Sequence, residues 1–142
     1  DGIGNAMDIT QFLSDKPLDS ILTQPEEHPG AVVYHDPCHS INYLGVKEEP
    51  RTILKGMGFG IAEPAERGCC GLGGTVRLLH DDVSSAILAN RVKALEETGA
   101  PEMPEMIVTS CPNCVLQLES RIKDRPVKHI IEIIAANIKR RA

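Results

Sequence analysis

The chain has no tryptophan, and only two phenylalanines and two tyrosines among its 142 residues. That scarcity removes the aromatic platform on which single-stranded bases stack. Basic charge is also thin. Fifteen Lys and Arg stand against twenty Asp and Glu, giving a formal net charge of −5, and the one dense basic run is the terminal Lys139-Arg140-Arg141. Three basic residues at a chain end are ordinarily a solvated tail, so no nucleic-acid partner is expected. No apolar run approaches the roughly 20 residues that cross a bilayer. The short, acidic start shows no hydrophobic stretch of the secretory kind. There is no internal repeat and no low-complexity segment. What remains is one domain's length of ordinary globular composition, able to bury about two-thirds of its unfolded surface. Residues 1–6 are Gly-rich and unpatterned and read as an expression scar or a cut end of a longer protein, leaving 7–142 as a single domain.

Against those absences stands a concentration of sulfur. Cys38, Cys69, Cys70, Cys111 and Cys114 form the pattern C-x30-C-C-x40-C-x2-C, and no cysteine falls outside it. An odd count in a chain without a visible leader argues against a disulfide framework and for a reducing, cytoplasmic setting. Adjacent cysteines strain the peptide if they pair with each other. They can both face one inorganic guest where the backbone turns sharply, and Gly71, Gly73 and Gly74 allow that turn.

The rest of the sequence supplies a scaffold. Asp8 to Leu13 looks like a short helix start. Ala31-Val32-Val33-Tyr34, Phe59-Gly60-Ile61-Ala62 and Met106-Ile107-Val108-Thr109 read as buried strands, and Val127-Lys128-His129 as a fourth. Helices are expected over 50–57, with Pro50 in the first turn, and over about 82–98, with Val83, Ile87, Ala94 and Leu95 on the apolar face. A third is expected from Cys111 to about Lys123. A last helix carries Ile130, Ile134 and Ile138 at intervals of four. Strand alternating with helix predicts an α/β fold, a Rossmann-like three-layer domain with a mostly parallel sheet of about four strands. Ligands in such sheets sit beyond the carboxyl ends of the strands. Cys38, Cys69-Cys70 and Cys111 each follow a different expected strand, so the topology predicts that all five thiols share one sheet edge.

Thiolates are the form that binds iron or zinc. Cys111 and Cys114 open a helix, whose unpaired N–H groups and dipole favour the thiolate, and Pro112 suits its first turn. The Gly-rich loop after Cys70 offers more N–H donors. Four ligands complete a tetrahedral zinc or a cubane site. Five leave either a spare cysteine or an unusual cluster with bridging thiolates.

Three stretches then resemble a known family: Tyr34-His35-Asp36-Pro37-Cys38-His39, Gly68-Cys69-Cys70-Gly71-Leu72-Gly73-Gly74 and Val108-Thr109-Ser110-Cys111-Pro112-Asn113-Cys114. They are similar to the cysteine-rich, or CCG, domain found in heterodisulfide reductase, in the iron–sulfur subunits of glycolate oxidase and anaerobic glycerol-3-phosphate dehydrogenase, and in lactate-utilisation proteins. The likeness runs from about Ala31 to Ala136. It implies that Cys38, Cys69, Cys70, Cys111 and Cys114 hold a non-cubane [4Fe-4S] cluster, with zinc as the alternative. It also implies an electron-transfer role between a flavin subunit and a quinone or disulfide acceptor. The implied partners are that flavin subunit and a second cysteine-rich or ferredoxin-type domain, in the cytoplasm or peripherally at the inner face of a membrane. One copy of the pattern and no ferredoxin motif are present, which implies the C-terminal copy from a larger subunit, not a complete enzyme. An aerobically purified sample is expected to lack the cluster.

Plainer readings stand beside these. His35 and His39 flank Cys38 and are either ligands of a mixed Cys/His zinc site or polar groups that shape its surroundings. Asp36 is expected to bond a neighbouring histidine or cap the next helix. His80 and His129 read as ordinary. The Gly68–Gly74 run lacks the Lys-Ser/Thr of a phosphate-binding loop and does not fit G-x-G-x-x-G. Two other functions are consistent with the pattern: a structural zinc domain, and a thiol–disulfide enzyme using Cys111-Pro112-Asn113-Cys114.

Overall fold

The computed structural model describes residues 7–23 and 29–139. The suspected scar at 1–6, most of the Pro/Glu-rich loop and Arg140-Arg141 lie outside the described residues. Four strands form one sheet: β1 (Ala31–Tyr34), β2 (Gly60–Ala62), β3 (Met106–Thr109) and β4 (Val127–His129), in the order β2-β1-β3-β4. Every pairing is parallel, with Val33 opposite both Ala62 and Ile107, and Ile107 opposite Val127.

Period-two alternation sorts the strand side chains into two cores. Val32, Tyr34 and Val108 turn to one face, where α3 (Glu49–Gly56) adds Ile53 and Leu54, and α7 (Ile130–Ala136) adds Ile130, Ile133 and Ile134. Val33, Ile107 and Val127 turn to the other. There α5 (Asp81–Glu96) adds Leu88 and Leu95, and α6 (Pro112–Glu119) adds Leu118. The sheet is thus covered on both faces, which is why its central strands read as unbroken apolar runs. The expected α/β three-layer architecture is the one observed. Smaller helices α1 (Ile9–Ser14), α2 (Leu18–Ile21) and α4 (Val76–Leu79) complete the described residues, with a π-helical turn at Ser40–Leu44. Asp8 caps α1 by accepting from Thr10 N–H at 2.8 Å.

The chain leaves β1 toward β2 on one side, then returns past β1 to β3 and β4 on the other. The strand order therefore reverses between β1 and β3. That switch point opens a crevice at their carboxyl ends, where doubly wound sheets bind ligands.

α6 ends at Glu119, short of the expected Lys123, and two further details differ from the sequence expectation. The buried side of α5 is Ser84, Leu88, Arg91 and Leu95, whereas Val83 is 47% exposed. A helix that faces a polar site does not show its inner face as an apolar stripe. The last helix ends at Ala136, so Ile138 is not on it: Ile138 makes an antiparallel bridge to Leu22 and is half exposed, and Ile133 joins Ile130 and Ile134 in the core. Accordingly, Ile107→Ala should cost about 2–5 kcal/mol in urea denaturation, while Val83→Ala should stay within about 0.5 kcal/mol.

Candidate metal centre at the switch point

His35 extends β1 by one ladder bond, its N–H donating to the Val108 carbonyl at 2.8 Å, and its ring is fully buried. The chain then turns through Pro37 to Cys38, which is exposed, as is His39. Beyond β2 an exposed stretch leads to half-buried Cys69 and buried Cys70. Gly71 follows with φ of 89°. A Cβ there would lie 2.6 Å from the Ser84 carbonyl oxygen, so both its conformation and its close approach to α5 demand glycine. Ser84 Oγ donates to the Gly71 carbonyl at 2.8 Å and accepts from Gln117 Nε2 at 3.2 Å, which ties the Cys-Cys turn to α5 and α6. Gly73 and Gly74 also take positive φ, 44° and 55°. At the end of β3, Cys111 is the N-cap of α6, Pro112 its first residue, and Cys114 lies in its first turn.

All five sequence-predicted cysteines come to this one edge, and none is in a disulfide. Cys38 interacts with Cys69, and Cys114 stands between Cys70 and Cys111. His35, Cys70 and Cys114 each offer a donor atom within 4.8 Å of the others. Such crowding divides the thiols by charge. Donation from Cys114 holds Cys70 well below the usual thiol range against the opposing effect of burial, with His35 and the Leu72 N–H adding to the effect. Cys111 is lowered to about 6, first by Cys114, then by the Cys114 and Asn113 N–H groups at the helix mouth, with His39 contributing through charge. Cys114, donating to both neighbours and desolvated, is pushed far up. Cys69 is raised by burial, although the Gly71 N–H at 3.3 Å opposes this. The edge therefore favours the thiolate at Cys70 and Cys111, favours the thiol at Cys69 and Cys114, and aims backbone N–H groups at sulfur. This set suits a soft metal or an iron–sulfur group better than a hard, oxygen-seeking cation. A cavity of about 160 Å³ opens beside Cys69, lined by Arg67, Gly68, Asn90 and Arg91 among others.

Two buried arginines that the sequence pattern does not mark organise the edge. Arg51 on α3 makes two 2.9 Å bonds to Asp36 and two, at 2.6 and 2.7 Å, to Glu63. Burial alone would lower its pKa, but these carboxylates raise it. Among the described residues Asp36 thus caps no helix and bonds no histidine; it is clamped. Since Asp36 lies two residues before Cys38 and Glu63 six before Cys69, one guanidinium ties both cysteine loops to α3. Arg91 on α5 donates from Nε to His35 Nδ1 at 2.8 Å and from a second nitrogen to the Glu66 carbonyl. His80, at the start of α5, is exposed and makes no capping bond. His129 caps α7, accepting from Ile131 N–H at 3.2 Å. The only sequence signal for Arg51 and Arg91 was a basic residue at a position otherwise facing inward, which needs the sheet order to recognise.

A doubly wound parallel sheet whose switch point is furnished with cysteine defines the class: an α/β domain with a thiol-lined binding edge. The chain belongs to the cysteine-rich domain family, CCG, whose profile matches residues 32–119 and so takes in all five cysteines. It is 31% identical over 137 residues to a subunit of the fumarate reductase (CoM/CoB) of Methanothermobacter marburgensis, covering 92% of this chain and 27% of that protein. It is 32% identical over 134 residues to lactate utilization protein A of Oceanobacillus iheyensis, covering 89% and 52%. It is 34% identical over 107 residues to lactate utilization protein A of Bacillus subtilis, covering 70% and 43%. The chain thus spans about half or less of the length of these relatives.

Two substitutions test the scaffold of the site. Arg51→Met strands buried Asp36 and should cost about 3–5 kcal/mol, whereas Glu63→Gln, at a side chain 53% exposed, should cost less than about 1 kcal/mol. Gly71→Ala should destabilise by at least about 2 kcal/mol, because strain at positive φ adds to the clash with a backbone oxygen. Equal losses for Arg51→Met and Glu63→Gln in chemical denaturation would refute the clamp.

Proposed function

We propose that the domain is an iron–sulfur electron-transfer module of an oxidoreductase, in which Cys38, Cys69, Cys70, Cys111 and Cys114 hold a non-cubane [4Fe-4S] cluster. The observation that supports this reading is that segments after three parallel strands bring unpaired thiols to one sheet edge, where Cys38 meets Cys69 and Cys114 meets Cys70 and Cys111. A tetrahedral zinc site would use four of them. Bound there, an iron–sulfur group would take up and release single electrons. The chain's own contribution is electrostatic and positional. The N–H groups of Gly71 and Leu72 and the mouth of α6 offset negative charge on sulfur. The Arg51 clamp fixes the Cys38 and Cys69 loops relative to each other.

The relatives named above are a component of a fumarate reductase and proteins of lactate utilisation. By analogy, this domain would act beside a flavin-containing subunit and a second cysteine-rich or ferredoxin-type domain, in the cytoplasm or at the inner face of a membrane. No described helix is long and apolar enough to cross a bilayer. The acceptor would be a quinone or a disulfide. The thiol–disulfide enzyme reading is disfavoured by access: Cys111 and Cys114 are 6% and 4% exposed, out of reach of a protein disulfide, and the exposed thiol is Cys38.

Anaerobic isolation or reconstitution should give brown protein with about four irons per chain and an EPR signal in one redox state. Serine at any one of the five cysteines should lower iron content or change that signal. Air-exposed protein should lose iron. One zinc per chain with no visible absorption after anaerobic reconstitution would replace this reading with the structural zinc domain.

A further inference from the structure

Arg91 is 3% exposed, yet no carboxylate bonds it among the described residues. Arg51, buried to the same degree, is held by two. Arg91 instead directs its donors to a ring nitrogen and a carbonyl, and its remaining terminal nitrogen has no hydrogen-bond partner. A desolvated guanidinium keeps its charge in proteins, so it requires negative charge nearby. Burial works against its charged form; the nearby groups that favour it are Asp36 and then the Cys114–Cys70 pair, whose shared charge rests on Cys70. Both Asp36 oxygens are already taken by Arg51, and Arg67 approaches to 3.6 Å. Charge on the sulfurs is what is left to answer Arg91.

The bond to His35 has a second consequence. Arg91 Nε–H can only donate, so His35 Nδ1 must accept and the neutral ring carries its proton on Nε2. Nε2 is buried and has no hydrogen bond of ordinary geometry. The ring interacts at longer range with the Cys70 sulfur, and the Cys114 sulfur also lies within 4.8 Å of it; with Nδ1 taken by Arg91, Nε2 is the nitrogen left to face them. His35, Cys70 and Cys114 look by proximity like three ligands of one metal ion. The direction of the Arg91 bond argues otherwise, since a nitrogen that carries a proton cannot coordinate.

We propose that Arg91 is a positioning residue that locks His35 in the Nε2–H form, so that the imidazole serves the centre as a hydrogen-bond donor to the Cys70 sulfur and not as a ligand, while the guanidinium supplies a fixed buried positive charge favouring the reduced state. The role in reduction rests on the reading that these thiols hold a redox centre; the tautomer does not. Donors to cluster sulfur and nearby positive charge both stabilise the form that has gained an electron.

The test begins with 15N-labelled, metal-free, thiol-reduced protein at neutral pH. Two-bond 1H–15N correlations report which ring nitrogen is protonated, and His35 is assigned by exchanging His28, His39, His80 and His129 singly for Gln. The expected result is a protonated Nε2 and a bare Nδ1, kept when zinc is added. A bare Nε2 in metal-free protein, or loss of its proton on zinc binding, overturns the proposal. In anaerobically iron-loaded protein, Arg91→Gln should shift the reduction equilibrium about tenfold toward the oxidised form, which is about 59 mV for one electron. Arg91→Lys should restore part of that shift. An Arg91→Gln variant with unchanged iron content and unchanged potential also overturns it. If Arg91→Gln does not fold, the wild-type spectra still decide. If iron never assembles, the function proposed above fails while the spectra still settle the tautomer.

Discussion

Negative charge on crowded, half-desolvated sulfur is the constraint to which the rest of this domain answers. Three of the five thiols are buried, and Cys114 touches both Cys70 and Cys111. Neighbours this close cannot all ionise without compensation, and buried in protein they cannot draw it from water. The fold supplies compensation from fixed groups. A parallel sheet delivers β1 and β3 side by side with their carboxyl ends together, and the helix that follows β3 opens at that same end. Positive φ at Gly71 lets the main chain present an N–H to Cys69 while packing against α5.

The two buried guanidiniums divide the remaining work. Arg51 sits between carboxylates and is mechanical: its fork reaches Asp36 and Glu63 at once and so couples the loop of Cys38 to the segment that leads to Cys69. Its charge is neutralised locally, so it contributes little field at the sulfurs. Arg91 is the reverse case. It bonds His35 and the Glu66 carbonyl, but its charge is not cancelled by a bonded carboxylate and lies on the inner face of α5 against His35. Exchanging the two roles would fail both ways. A charge-neutral clamp cannot offset thiolates, and an unpaired cation cannot hold two acidic loops in register.

Much of this arrangement was legible in sequence. β1, β3 and β4 were expected at the residues where they occur, because strands buried on both faces are short apolar runs with sharp ends. The shared edge followed from strand ends and cysteine spacing alone. What escaped was polar and inward-facing. Arg91 and Ser84 lie on the buried side of α5, where a search for an apolar stripe selects Val83 and Ile87 instead. Asp36 looked like a cap because its partner is fifteen residues away on α3. The π-helical turn after Cys38 carries no propensity signal of its own; it closes on Gly45 at φ of 69°. Ile138 kept the helical interval of its predecessors but left the helix to pair with Leu22. In each case the deciding partner is distant in sequence, so the local pattern lacked the information.

The uneven burial of the thiols gives the edge a direction. Cys70, Cys111 and Cys114 belong to the core on the α5 and α6 face, packed with Val33, Ile107 and Leu118. Cys69 is half buried beside a small cavity, and Cys38 is exposed with His39 next to it and Tyr43, 85% exposed, beyond. An incoming molecule or protein surface therefore meets Cys38 first, while the compensating groups stand behind the sulfurs. That order has a physical reason. Behind the site, low dielectric strengthens each N–H and guanidinium contact to sulfur. In front, the same contacts would be screened by water and would obstruct approach. For the electron-transfer role proposed above, a rigid polar wall on one side and the most accessible thiol, Cys38, on the other would let the site meet a partner while holding its own charge steady.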